Sequence, residues 1–176
     1  MGLLDQNFKK TPKAYLFQSI CASGCILIIL LALDIRTHSA IIASLGASAF
    51  IVFTAPRQYF SQPKPLIGGY LIGITMGVLF HFTSQLSIFP SVFSSDMRQI
   101  ICGASAVGIS ILLMVITNTE HAPAAGMTLS LVFNRWNFHT LGFIIAAVVF
   151  LSIFKKILNP FLRDLIGQKD DRNFIA

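Results

Sequence analysis

Apolar residues along the chain fall into six runs, Tyr15–Leu33, His38–Ala55, Leu66–Ser84, Ile100–Thr117, His121–Asn134 and Phe138–Leu158, separated by short polar gaps. A straight helix needs about 20 apolar residues to cross the hydrocarbon core of a bilayer. The first, third, fourth and sixth runs meet or approach that length, and Pro65, His81, Lys155 and Lys156 mark the ends of the third and sixth. These four are predicted to be full spans. The second and fifth are shorter and richer in Gly, Ala, Ser and Pro. The fifth, with 14 residues, reaches only about 21 Å as a helix at about 1.5 Å per residue, too little for one straight crossing. Only Asn118, Thr119 and Glu120 separate Thr117 from His121. So short a gap is expected to hold a polar cluster near or inside the membrane, where irregular backbone survives only if protein buries it or it lines a wet cavity. The pattern predicts an all-α, polytopic membrane protein with four full spans and two short or broken Gly/Ala-rich segments. One transmembrane domain covers 1–176, with 159–176 as a cytoplasmic tail.

The two halves, about 14–84 and 98–158, share a layout of long, short and long segment. Gly46, Val52 and Phe53 recur eighty positions later as Gly126, Val132 and Phe133. Three segments per half would make the second half enter from the opposite side, the inverted-repeat plan of many transporters. Gly69, Gly73 and Gly77 recur every four residues and form a face on which another helix can approach closely. Ala104 and Gly108 offer a similar small face on the fourth run, and internal symmetry would pair the two.

Composition agrees with the membrane assignment. Hydrophobic residues make up 55% of 176 positions and charged residues 11%, against roughly 25% charged in soluble domains. The net charge of +6 does not point to nucleic acid, because Lys and Arg sit at the chain ends and in the gaps between runs. With six crossings, Lys9, Lys10, Lys13, Arg57, Lys64, Lys155, Lys156 and Arg163 fall on one side, and Arg36, Arg98 and Arg135 on the other. That asymmetry puts both termini in the cytoplasm, in a bacterial inner membrane. The stretch before Lys13 is polar and the first run ends in Asp34, not a small-residue cleavage site, so the run is expected to remain as a helix. Cys21, Cys25 and Cys102 lie within apolar runs and read as small buried hydrophobes.

The stretch from Asn118 to Thr128 carries the most chemistry, setting Glu120, His121 and Pro123 against an apolar segment containing Gly126 and Thr128. Ionisable groups at membrane depth are costly and usually functional. Pro123 suits the first turn of a helix, so a half-helix from Ala122 would point its N–H groups at the polar cluster, an end that favours an anion. Near the membrane midplane, His121 would add attraction when protonated and remain a donor when neutral. The opposing reading is that Glu120 and His121 are interfacial and wet. In the first half the counterpart is Ser44-Leu-Gly46-Ala-Ser48. Its hydroxyls either replace water around a permeating ion or bond their own helix carbonyls. Arg57, beside Pro56, reads as part of a positive-inside loop or as an anion attractor at a pore mouth.

Ile42-Ala-Ser-Leu-Gly-Ala-Ser-Ala49, Phe53-Thr-Ala-Pro56, Ser61-Gln-Pro63, Ile67-Gly-Gly69 and His121-Ala-Pro-Ala-Ala-Gly126 together resemble the HPP family of integral membrane proteins. The order is kept over about 150 residues. The family is named for a His-Pro-Pro motif, and Ala122 stands here where its first Pro would be. The resemblance implies a small membrane transporter, since some members are linked to nitrite transport. It leaves two readings: a transporter or channel for a small anion such as nitrite, and a membrane-embedded interaction or structural subunit. An enzyme is not expected, nor a cofactor, a metal or a nucleic-acid partner, since His38, His81, His121 and His139 do not show metal-ligand spacing. The bilayer, the anion and a second copy in a homo-oligomer are the expected partners.

The charge distribution predicts that a tag at either terminus stays shielded from membrane-impermeant reagents added to intact cells. Labelling of a terminal tag from outside would reverse the orientation.

Overall fold

The computed structural model describes residues 8, 10–31, 39–86 and 94–166. Arg36, His38 and Lys9 lie outside the described residues. Within them the chain forms α1 (Pro12–Leu31), α2 (Ser39–Thr54), a 3-10 turn at Tyr59–Ser61, α3 (Pro63–Gln85), α4 (Ser95–Ile116), α5 (Ala122–Phe133), α6 (Phe138–Leu158) and a 3-10 turn at Asn159–Phe161. The helices α1, α3, α4 and α6 are long and apolar enough to cross a membrane, while α2 and α5 are shorter apolar helices. They are the four and the two that the run lengths single out.

Helix ends follow from local chemistry. Pro63 and Pro65 occupy the first turn of α3, where a missing N–H leaves no bond unmade. α4 starts at Ser94, whose side chain accepts the Met97 N–H at 3.2 Å. It ends in a Schellman motif: Thr119 N donates to Met114 O at 2.8 Å, Asn118 N donates to Val115 O at 3.2 Å, and Asn118 takes a φ of 52°. Asn tolerates that left-handed conformation better than most residues. Its place in the chain is thereby explained as a turn, and its exposed side chain does not join the buried cluster expected of it.

Successive helices run in alternating directions, as contacts at both ends of the bundle show. α3 and α5 lie side by side and point the same way, Gly69 meeting His121, Gly73 meeting Ala124, and Gly77 meeting Leu131. α6 runs back, from Trp136 packed on His81 (5.2 Å between rings) to Lys155 on Ser61. Gln18 near the start of α1 bonds the backbone of Phe53 at the end of α2 and of Arg163 after α6, so the described ends meet at one end of the bundle.

Three glycines bring α3 and α5 together in a close-packed seam. A Cβ on Gly69 would lie 2.9 Å from Thr119 O and 2.8 Å from His121 Cβ, one on Gly73 would lie 2.7 Å from Ala124 O, and one on Gly77 would lie 2.9 Å from Thr128 O. The seam therefore packs on the short fifth helix. Pairing with Ala104 and Gly108 is corrected: both face outward, and nothing approaches Gly108 within 4 Å. α4 turns Cys102, Gly103, Ala106 and Ser110 inward instead.

Gly73→Ala is expected to cost about 1–3 kcal/mol, because the added methyl meets a backbone carbonyl that cannot move without shifting α5. Gly73→Leu is expected to prevent assembly of a monodisperse protein in detergent, judged by size-exclusion profile and thermal unfolding. A fully stable Leu variant would contradict the seam.

Candidate functional site

The first turn of α5 comes to rest beside Gly69, six residues beyond the start of α3, or about 9 Å along an axis of 23 residues. His121 thus lies about a quarter of the way along α3 from the end where the described termini meet, not at mid-helix. It occupies the N-cap position in an extended conformation, but its side chain caps nothing. The imidazole turns away from the N–H groups of α5 and is buried to 1% exposure among three elements. Nδ1 bonds the Phe60 carbonyl of the 3-10 turn at 3.0 Å, and Nε2 meets Ser48 Oγ of α2 at 2.8 Å. A carbonyl only accepts, so Nδ1 carries a hydrogen.

Two further hydroxyls complete the cluster. Tyr70 of α3, buried with its ring 5.7 Å from the imidazole, brings its hydroxyl to 2.8 Å from Ser48 Oγ and 3.0 Å from Ser44 Oγ. Ser44 Oγ donates to the Pro123 carbonyl. The second half of the chain supplies the imidazole and the proline carbonyl, and the first half supplies the hydroxyls. Buried polar groups in a membrane must find partners within the protein, and here each of these four side chains has at least one.

The remaining candidates divide. Pro123 takes part through its carbonyl. Thr128 bonds its own helix at Ala124 O (3.1 Å) and lines the Gly73 contact, so it is a packing residue. Gly126 faces outward with nothing within 4 Å, and Gly46 borders a groove of about 400 Å³ between α1 and α2, so neither lines the cluster. Arg57 is exposed at the end where the termini meet, its backbone N–H donating to Asp164 Oδ1 at 3.0 Å. Glu120 sits at the rim with His121, Met114 and Ala125, bordering a crevice of about 290 Å³ between α4 and α5. Its Oε2 is buried without a hydrogen-bond partner. Partial desolvation, and after it the Glu120 carboxylate, raise the Tyr59 phenol above its ordinary pKa.

Three participants escape sequence reasoning. Tyr70 looks like one more apolar residue in a span, although a buried tyrosine hydroxyl requires a partner. The Phe60 carbonyl has no side-chain signature. Lys155 reads as a positive-inside charge beside Lys156, yet it is buried and donates from Nζ to Ser61 O at 2.8 Å and to Gln62 Oε1 at 3.4 Å. The neighbouring carbonyls of Phe60 and Ser61 are thus held by His121 and Lys155 respectively, which ties the 3-10 turn to α5 and α6. Among the described residues no three His, Cys, Asp or Glu side chains gather as a metal-binding set.

Residues 8–160 match the family model of the HPP transmembrane region. The chain belongs to the HPP family of integral membrane proteins. It is similar to two transmembrane proteins of Dictyostelium discoideum, at 28% identity over 137 residues (75% of this chain, 45% of the relative) and 27% over 99 residues (54% and 29%). The chain therefore spans less than half the length of these curated relatives. No solved structure matches it. In this HPP protein the His-Pro-Pro position is occupied by His121, Ala122 and Pro123. Ala122 lines the crevice with Glu120 and His121 while the other two enter the cluster, so the missing ring falls on the crevice side.

Lys155→Met is expected to lower stability by about 1–3 kcal/mol, because the Ser61 carbonyl is left buried without its donor. Lys156→Met, on the exposed neighbour, is expected to stay within about 0.5 kcal/mol. Thermal unfolding of both purified variants in detergent checks the contrast, and equal effects would mean that the clasp contributes nothing.

Proposed function

We propose that this protein is a membrane transporter for a small solute, and that the solute is a small anion such as nitrite. One observation carries the reading: Ser44, Ser48, Tyr70 and His121, drawn from both halves of the chain, form a buried cluster with no carboxylate in it. Its side chains offer O–H and N–H donors, the groups that replace water around an anion. A buried ammonium, Lys155, lies one peptide unit away across the 3-10 turn. The crevice beside His121 and Glu120 supplies an approach. Membership of a transmembrane family and the alternating helix directions agree with the proposal, and we read the two halves as an inverted repeat that meets at α2 and α5. The working location is a bacterial inner membrane with both termini cytoplasmic.

A second reading draws on the completeness of the bonding. Because every side chain of the cluster already has a protein partner, the cluster also suits a packing lock in a membrane-embedded structural or interaction subunit.

Flux of labelled nitrite into liposomes containing only the purified protein separates the two. The transporter reading expects flux above protein-free vesicles, falling about tenfold or more in His121→Ala, where three buried neighbours lose their geometry. The exposed His139→Ala is expected to behave as wild type. Unchanged flux in a folded His121→Ala protein would remove the imidazole from the pathway, and absence of wild-type flux would favour the structural subunit.

A further inference from the structure

Ser48 stands at a junction whose hydrogens can be counted. Its Oγ is 2.8 Å from His121 Nε2, 2.8 Å from Tyr70 Oη and 3.1 Å from its own helix carbonyl at Ser44. Two hydrogens are fixed by partners that can only accept: Nδ1–H points to Phe60 O, and the Ser44 hydroxyl points to Pro123 O. Tyr70 must then donate to Ser44 or Ser48. With a neutral imidazole, Nε2 is a lone pair and takes the single hydrogen of Ser48. The Ser44 carbonyl, though within reach, receives nothing from that hydroxyl.

One added proton fills the vacant bond. Placed on Nε2, it becomes an N–H donor to Ser48 Oγ. The Ser48 hydrogen then swings to the Ser44 carbonyl. Tyr70 keeps its donation, no covalent bond breaks, and no heavy atom has to move. Every hydrogen-bond donor of the cluster has an acceptor in both protonation states, which differ by one hydrogen.

We infer that this cluster is a proton-loading site, and that the ion coupled to anion movement is a proton carried on His121. The inference rests on the transport reading above. A buried imidazolium at 1% exposure beside the Lys155 ammonium adds charge of the same sign, and an anion entering there offsets it. Loading both together cancels the charge, so each favours entry of the other, and the favour is reciprocal.

The titratable and charged groups around His121 fit this assignment. α3 presents Tyr70, the 3-10 turn presents Tyr59, and α6 presents Lys155 on the carbonyl next to the one His121 holds. α2 brings only the hydroxyls of Ser44 and Ser48, and α4 faces the crevice with Ile111, Met114 and Val115. Glu120 precedes His121 in the chain, borders that crevice, and has one buried carboxylate oxygen without a partner. It is the group placed to pass a proton inward from the crevice.

Two measurements on the purified protein test the inference. In liposomes, labelled nitrite uptake is followed with the potential set by a potassium gradient and valinomycin, and an internal dye reports pH. Protein-free vesicles serve as the baseline for leak of the neutral acid. A coupled carrier moves about one proton with each anion and is indifferent to the imposed potential. Ser48→Ala removes the hydroxyl that hands the hydrogen on, and is expected to slow uptake on the order of tenfold, the cost of an unmade buried hydrogen bond. Its residual flux should become voltage-dependent, with Ser48→Thr restoring the wild-type ratio. Voltage-driven wild-type flux without proton movement would overturn the coupling and leave the transport reading standing. If wild-type flux does not exceed the baseline, the transport reading falls. In that case, proton uptake from weak buffer when nitrite is added to the protein in nanodiscs decides separately. Uptake that is lost in His121→Gln supports the loading site, and no uptake by wild type overturns it.

Discussion

The whole arrangement depends on how closely α5 lies against α3, and that distance is set by the absence of three Cβ atoms. With carbonyl oxygens of α5 and its approach loop 2.7–2.9 Å from where those atoms would be, the contact is backbone on backbone. In lipid there is no hydrophobic force between helices, and close approach of this kind is what holds them together. The seam also decides depth. It carries His121 to the level of Tyr70, delivers the Pro123 carbonyl to Ser44, and sets Thr119 over Gly68. A seam one methyl wider would separate the imidazole from its hydroxyl partners before it unfolded any helix.

Lys155 and His121 show a second layer of organisation. Both are titratable and both reach across the bundle to a main-chain carbonyl of one short turn, Phe60 for the imidazole and Ser61 for the ammonium. Ser61 is itself tied to α2 through Ile51 O at 3.2 Å and to Ala55 O, just past the helix end, at 2.7 Å. The turn is therefore a strap joining α2, α5 and α6, and Tyr59 adds the α4–α5 loop through the Asn118 carbonyl. Side chains meeting backbone in this way leave the residue identity at Phe60 less constrained than its position.

Features that depend on local composition were legible in the chain. Run length marks the four long helices, the Gly repeat marks a seam, and a polar gap of three residues marks a buried His. Features that depend on what lies opposite were not. The seam has α5 as its partner because α5 brings backbone to the surface with Ala124 and Thr128, whereas Ala104 and Gly108 resemble such a surface only in sequence spacing. Asn118 reads in the sequence as one more polar residue near an apolar segment, and its φ of 52° is invisible until the turn is built. Tyr70 and Lys155 each match an ordinary pattern, a span residue and a flanking charge, and only their burial sets them apart.

The cluster is assembled from both halves of the chain, and this bears on how the protein is made. When α1 to α3 have entered the bilayer and the rest is still being synthesised, Ser44, Ser48 and Tyr70 have only one another and their own helices to bond. The Pro123 carbonyl and the imidazole arrive last but one, with α5. A short helix of 12 residues is a poor candidate for independent insertion, and a waiting surface of hydroxyls and bare glycine backbone gives it a place to dock. Chain order thus sets the order in which the cluster can close, and a nascent chain halted before α5 would leave Ser44, Ser48 and Tyr70 without the Pro123 carbonyl and the His121 imidazole.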